Sequence, residues 1–142
     1  MTGGMQLSTA RLLIECSLER MTARNGETVF DEWALVRVGG DGATLAAYQG
    51  PRAEQFRSNF LADVRALRSL LAGRPMSVGE FAFAPEAEGT AFDACVRIGE
   101  GAYLLLNHTA RTMEQVRAGA RWREAQPVFV ELTEAFRLDP LA

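Results

Sequence analysis

The sequence predicts an α+β domain: a five-stranded antiparallel sheet flanked by helices, in the order α-β-β-α-β-β-β-α, over residues 1–142 as a single unit. Three observations carry this. First, two short apolar runs, Trp33–Val38 and Ala43–Tyr48, flank Gly39-Gly40-Asp41-Gly42, a cluster that tolerates positive φ and suits a tight reversal. Second, one long amphipathic segment follows at about Arg52–Ala72. Third, every later strand is reached through a glycine-rich turn. Each tight turn reverses the chain, so the pairing is antiparallel.

The elements can be justified in order. Helix one should run from about Leu7 to Arg24 and stop at Asn25-Gly26, a C-terminal signal. Its apolar residues fall in two stripes: Leu7, Ala10, Ile14, Leu18 and Met21 on one side, Leu12, Leu13 and Cys16 on the other. A helix apolar on two sides is expected to be sandwiched. Gly50-Pro51 ends strand two. Helix two shows a clean stripe of Ala53, Phe56, Phe60, Val64, Leu67 and Leu71, and Gly73-Arg74-Pro75 closes it. Strand three is read at Val78–Ala84, with Phe81 and Phe83 on one face. After the turn Pro85–Gly89, strand four is Thr90–Ile98, with Phe92, Ala94, Val96 and Ile98 alternating. Gly99-Glu100-Gly101 turns the chain into strand five, Ala102–Leu106, which is apolar on both faces and therefore placed centrally. Thr112-x-x-Gln115 matches a capping box, so a terminal helix should start near Met113. Pro127 costs about 3 kcal/mol in a helix interior, so a kink, or a second helix with Pro127 in its first turn, is expected there. Val128, Phe129, Leu132 and Phe136 should pack its end, and Asp139-Pro140 should stop it. Helix two belongs on one face of the sheet, helix one and the terminal helix on the other.

Composition excludes several classes. A formal net charge of −3 argues against a general nucleic-acid binder. No apolar run approaches the roughly 20 residues that span a bilayer. The first residues lack a signal-peptide pattern, so a cytoplasmic location is expected. Cys16 and Cys95 are far apart, each in apolar context, and read as reduced core thiols. All 15 basic residues are arginine, which reads as codon usage of a GC-rich bacterial genome.

The DGATLAAY hairpin (Asp41–Tyr48), helix two, and the run FDACVRIGEGAYLLLN (Phe92–Asn107) together resemble the roadblock/dynein light chain family, including its bacterial MglB-like members. The resemblance covers about Leu7 to Phe136. It implies a homodimer or heterodimer, the homodimer being expected, with helix two and strand three at the interface and a sheet continuous across two subunits. It also implies a regulator or scaffold for a small Ras-like GTPase. Two departures stand out: Pro127 interrupts the terminal helix, and Asn25–Glu32 is longer and more polar than the family pattern.

No chemical signature competes with this reading. His108 is the sole histidine, and its spacing suggests no nucleophile or orienter for a triad. Three Cys and His residues, widely separated, do not make a structural zinc site, and Glu86, Glu88 and Glu100 sit on predicted turns. Gly39–Gly42 lacks the Lys-Ser/Thr of a phosphate loop and joins two strands, so no nucleotide or other cofactor is expected. The unusual surface lies on helix two, where Arg57, Leu61, Arg65 and Arg68 recur at spacings of four, four and three. Arginines around an apolar anchor suit an interaction ridge. The expected function is a non-enzymatic dimeric regulator of a small GTPase. The alternative is a small-ligand sensor with a pocket between sheet and helices.

Overall fold

The computed structural model describes residues 4–21, 30–40, 42–73, 75–83, 92–108 and 122–141, with the backbone alone over 122–125. Five strands form one antiparallel sheet: β1 (Glu32–Gly39), β2 (Gly42–Gln49), β3 (Phe81–Phe83), β4 (Ala94–Gly99) and β5 (Ala102–Asn107), in the spatial order β2-β1-β5-β4-β3. The α+β class, the strand count and the antiparallel pairing are those read from the sequence. β5 lies at the centre, and all six of its residues are buried. Its Leu104, Leu105 and Leu106 each contribute about 1.5–3 kcal/mol by leaving water.

The two hairpins differ in how they close. Gly39 pairs with Gly42, and a register shift between Leu35 and Val36 accommodates one extra residue in β2. In the β4–β5 turn Gly101 has φ +65, and a Cβ there would lie 2.7 Å from the Val38 carbonyl oxygen. Val38 N–H donates to Gly101 O at 2.8 Å, so the turn is stitched onto β1. No side chain could occupy that crossing without displacing backbone.

Helix α1 (Leu7–Glu19) ends five residues before the expected stop at Arg24. Arg20 and Met21 donate to Ser17 and Leu18 carbonyls in a tightened last turn, and Met21 drops into the core. The Asn25-Gly26 signal lies outside the described residues. Helix two of the sequence reading is two helices, α2 (Glu54–Ser58) and α3 (Phe60–Gly73), separated at Asn59 with φ −103 and ψ 17. Hydrogen bonds from Asn59 N–H to Gln55 O and from Asp63 N–H to Asn59 O span the break, which is therefore a kink. The kink shifts the buried stripe: Phe56, Ala66 and Leu67 are buried, whereas Phe60, Val64 and Leu71 are half-buried. Helix α4 (Trp122–Leu138) contains Pro127 in its interior, six residues in, so Pro127 does not open a helix of its own. Its expected start near Met113 lies outside the described residues. Val128, Phe129, Leu132 and Phe136 are buried, as their spacing requires.

The helices cover both faces. One core joins α1 and α4 to the sheet through Ile14, Leu18, Leu35, Val96, Leu104, Phe129 and Leu132. The other joins α2 and α3 through Phe56, Leu67, Val36, Cys95 and Leu105. This is the layer arrangement expected from the sequence, with two corrections. β3 begins at Phe81 rather than Val78, because Val78 and Gly79 form a turn in which Gly79 has φ +91, and the expected end at Ala84 lies outside the described residues. Phe92 packs in the α2–α3 core while Ala94, Val96 and Ile98 pack in the other, because the chain bends at Asp93 before pairing starts. Phe81 and Phe83 do share a face, with ring centroids 5.1 Å apart, and Phe81 stacks on Phe129 at 5.4 Å. The second stripe of α1 divides: Leu13 is partly buried and packs against the α1–α4 core, whereas Leu12 is 61% exposed and Cys16 is exposed rather than a core thiol.

Candidate functional site

Three places combine unusual residues, and they lie on different parts of the sheet. The first is the outer face of α2 and α3. Arg57, Leu61, Arg65 and Arg68 are all exposed, and Leu61 is 78% exposed. Leu61, Arg65 and Arg68 follow one face of α3 at spacings of four and three. Arg57 belongs to α2, beyond the kink, so the ridge is a continuous row of three with a fourth residue on a separate helix. Arg57 lies 3.9 Å from Glu54, an exposed pair that adds little to stability. The guanidinium groups at this face are available chiefly for contacts outside the chain.

The second place is a buried polar knot where β1 begins and β5 ends. Glu32 is fully buried, and its carboxylate accepts three hydrogen bonds: from Arg52 N–H at 2.6 Å, Gln55 Nε2 at 2.7 Å and Asn107 Nδ2 at 2.7 Å. It therefore ties both central strands to the start of α2. Gly50 allows the chain to pass over it: φ is +137, and a Cβ would lie 2.7 Å from Glu32 Cγ and 2.8 Å from Asp31 O. His108 and Asn107 are buried beside it. Burial pushes the Asp93 carboxyl up to about 6; the nearby Glu32 charge adds to the rise and His108 opposes it. Sequence reasoning places Glu32 in the polar segment ahead of the first strand and misses this role. The available signal was a carboxylate opening one central strand and an amide closing its neighbour.

The third place is a cleft of about 500 Å³ at the opposite end of the sheet. The β1–β2 hairpin, the β4–β5 turn and the end of α4 enclose it. Val38, Ile98, Ala102, Phe136 and Leu141 supply apolar wall, and Arg37, Thr44, Glu100 and Arg137 supply polar groups. Its size falls within the range of small-molecule sites. Met5 N–H donates to Pro140 O at 2.6 Å and Met5 bridges to Leu141, which fixes the wall contributed by the end of the chain.

Cys95 is buried, its Sγ lies 3.8 Å from Met76 Sδ, and burial pushes its thiol up to about 12, away from thiolate chemistry. Both cysteines are free thiols. Glu86 and Glu88 lie outside the described residues, and Glu100 is exposed. Among the described residues no three or more His, Cys, Asp or Glu are grouped to hold a metal ion, and no helix is long and apolar enough to cross a membrane.

Comparison with known proteins adds little. No family profile matches the chain, and no solved structure matches it. A stretch of 60 residues, 42% of the chain, is 42% identical to part of the chromosomal replication initiator protein DnaA of Thermomicrobium roseum. The match spans 13% of that protein's length, a fragment that assigns no family.

Proposed function

We propose that this chain is a non-enzymatic, dimeric regulator or scaffold for a small Ras-like GTPase, of the roadblock/dynein light chain kind, acting in the cytoplasm. The observation that carries the reading is the exposed Leu61–Arg65–Arg68 row of α3, on the sheet face toward which the edge strand β3 turns Ala82. β3 is the last strand in the order β2-β1-β5-β4-β3, and an edge strand can extend a sheet into a second subunit. The resemblance named helix two and strand three as the interface, and this arrangement supports it. An apolar anchor flanked by arginines suits a protein contact. The deeply buried Cys95 supports a role without nucleophilic chemistry. The test is sedimentation at micromolar concentration. A two-fold dimer is expected, burying roughly 1,200–2,000 Å², and Leu61→Glu should shift it to monomer with the fold intact. A wild-type protein that is only monomeric overturns the reading.

The cleft at the hairpin end favours a second reading, a small-ligand sensor. It has an apolar wall and converging polar groups, and it lies at the other end of β1 from the polar knot. Saturable binding of a small apolar probe at this cleft would support that function.

A further inference from the structure

The walls and mouth of the cleft differ in chemistry. Ile98 is fully buried, and Phe136 and Ala102 are nearly so, which gives an apolar floor at the junction of β4, β5 and α4. Val78, 48% exposed, is a further apolar residue of the lining with no cover of its own. The mouth carries two guanidinium groups, Arg37 from β1 and Arg137 from α4. Arg137 is held in place by Glu134, with Nε donating to Oε2 at 2.9 Å and Nη2 to Oε1 at 2.5 Å. That fork orients the side chain, and both partners are more than half exposed. The carboxylate among the lining residues, Glu100, is fully exposed and lies 3.5 Å from Arg97 Nη2, so its charge is turned to solvent and partly answered. Thr44 adds a neutral hydroxyl, and the glycines 39, 42, 99 and 101 leave backbone open along the rim.

We infer that the cleft binds a small amphipathic carboxylic acid, with its hydrocarbon body against Ile98, Ala102 and Phe136 and its carboxylate at Arg37 and Arg137. The inference rests on the ligand-sensor reading and names the ligand class for it. An apolar floor under an arginine-bearing mouth matches a molecule with one apolar end and one anionic end. Glu134 takes the Nε–Nη2 edge of Arg137, so the ligand carboxylate meets its Nη1 side and Arg37 through charge-assisted hydrogen bonds, which a neutral alcohol answers more weakly. Both arginines are exposed and neither belongs to the two cores, so their replacement should leave the packed interior intact.

The test uses two probes of equal chain length, decanoate and decanol, titrated into the full chain by ligand-observed NMR. Decanoate should bind saturably, with a dissociation constant on the order of 0.1–1 mM for a ligand of this size. Decanol should bind at least fivefold more weakly. Arg37→Gln with Arg137→Gln should abolish that difference while circular dichroism stays unchanged. Thr44→Trp and, independently, Val78→Trp should block both probes by filling the mouth from exposed positions. Equal binding of decanol and decanoate overturns the acid assignment while leaving a sensor possible. Failure of both probes to bind overturns the assignment and the sensor reading together. Binding that survives both tryptophan variants in folded protein places it elsewhere and likewise overturns the inference.

Discussion

Asn107 Nδ2 donates a 2.7 Å hydrogen bond to Glu32 Oε1, joining the end of β5 to the start of β1 across 75 residues of sequence. The two residues are also paired in the strand register. Glu32 accepts two further bonds from the segment that leads into α2, so one carboxylate sets the docking of three elements. A buried carboxylate of this kind persists only if its oxygens are satisfied. Removing one donor leaves the charge in place with less solvation. Asn107→Ala should therefore cost about 1–3 kcal/mol in chemical denaturation. A loss under about 0.5 kcal/mol would mean that water replaces the amide and that the knot is not dry.

Asp93 provides a pH dependence whose sign is fixed by its surroundings. Its carboxyl is raised from 3.8 to about 6 in the fold, chiefly by burial and then by Glu32. Below 3.8 it is neutral in both folded and unfolded chains. Between 3.8 and about 6 the unfolded chain ionises first, so this group's contribution to stability falls as pH rises and is fully lost above about 6. Asp93→Asn removes the penalty. The stability of the variant relative to wild type should grow by about 1 kcal/mol across that window, after allowance for screening at a half-buried site, and then level off. Urea unfolding at several pH values measures it. A flat difference would show that the fold does not raise the Asp93 carboxyl.

The kink at Asn59 separates two phenylalanines that one unbroken helix would have buried alike. Phe56 is 1% exposed and sits within the α2–α3 core, whereas Phe60 is half-buried at its margin. Phe56→Ala should cost about 3–5 kcal/mol. Phe60→Ala should cost about 1–2 kcal/mol, in proportion to its smaller buried area. Equal losses in denaturant unfolding would mean that the helix is straight in solution.

Much of the fold was legible because it is local. The Gly39–Gly42 and Gly99–Gly101 turns fix two hairpins, and the doubly apolar Ala102–Leu106 could only be a central strand. The apolar faces of α3 and α4 then choose their sides. Features set by tertiary geometry were hidden. Phe92 matches the alternation of Ala94, Val96 and Ile98, but a bend at Asp93 sends it to the opposite core. Cys16 shares a helical face with Leu12, yet that face points to solvent. The ridge residues were legible as exposed positions, since they avoid the apolar stripe. The cleft was not, because residues 37–44, 98–102 and 136–141 meet only after the sheet has formed.

The exposed arginines of α2 and α3 bear on how a partner would be met. Arg57, Arg65 and Arg68 carry three positive charges on a chain whose net charge is −3, so this face is locally opposite in sign to the whole. Exposed charges at the rim of an interface mainly accelerate association and make it salt-sensitive. A GTPase approaching this face through acidic residues should therefore associate more slowly as salt rises. Replacing Arg57, Arg65 and Arg68 together by Glu should slow association about tenfold or more at low salt and flatten or reverse the salt dependence. The fold should survive, because none of the three side chains enters either core. Stopped-flow association against the small GTPases of the source organism, in both nucleotide states, reads the effect. An unchanged rate for the triple variant would remove this face from the contact. If no such GTPase bound wild type at tens of micromolar, the regulator reading would give way to the ligand-sensor one.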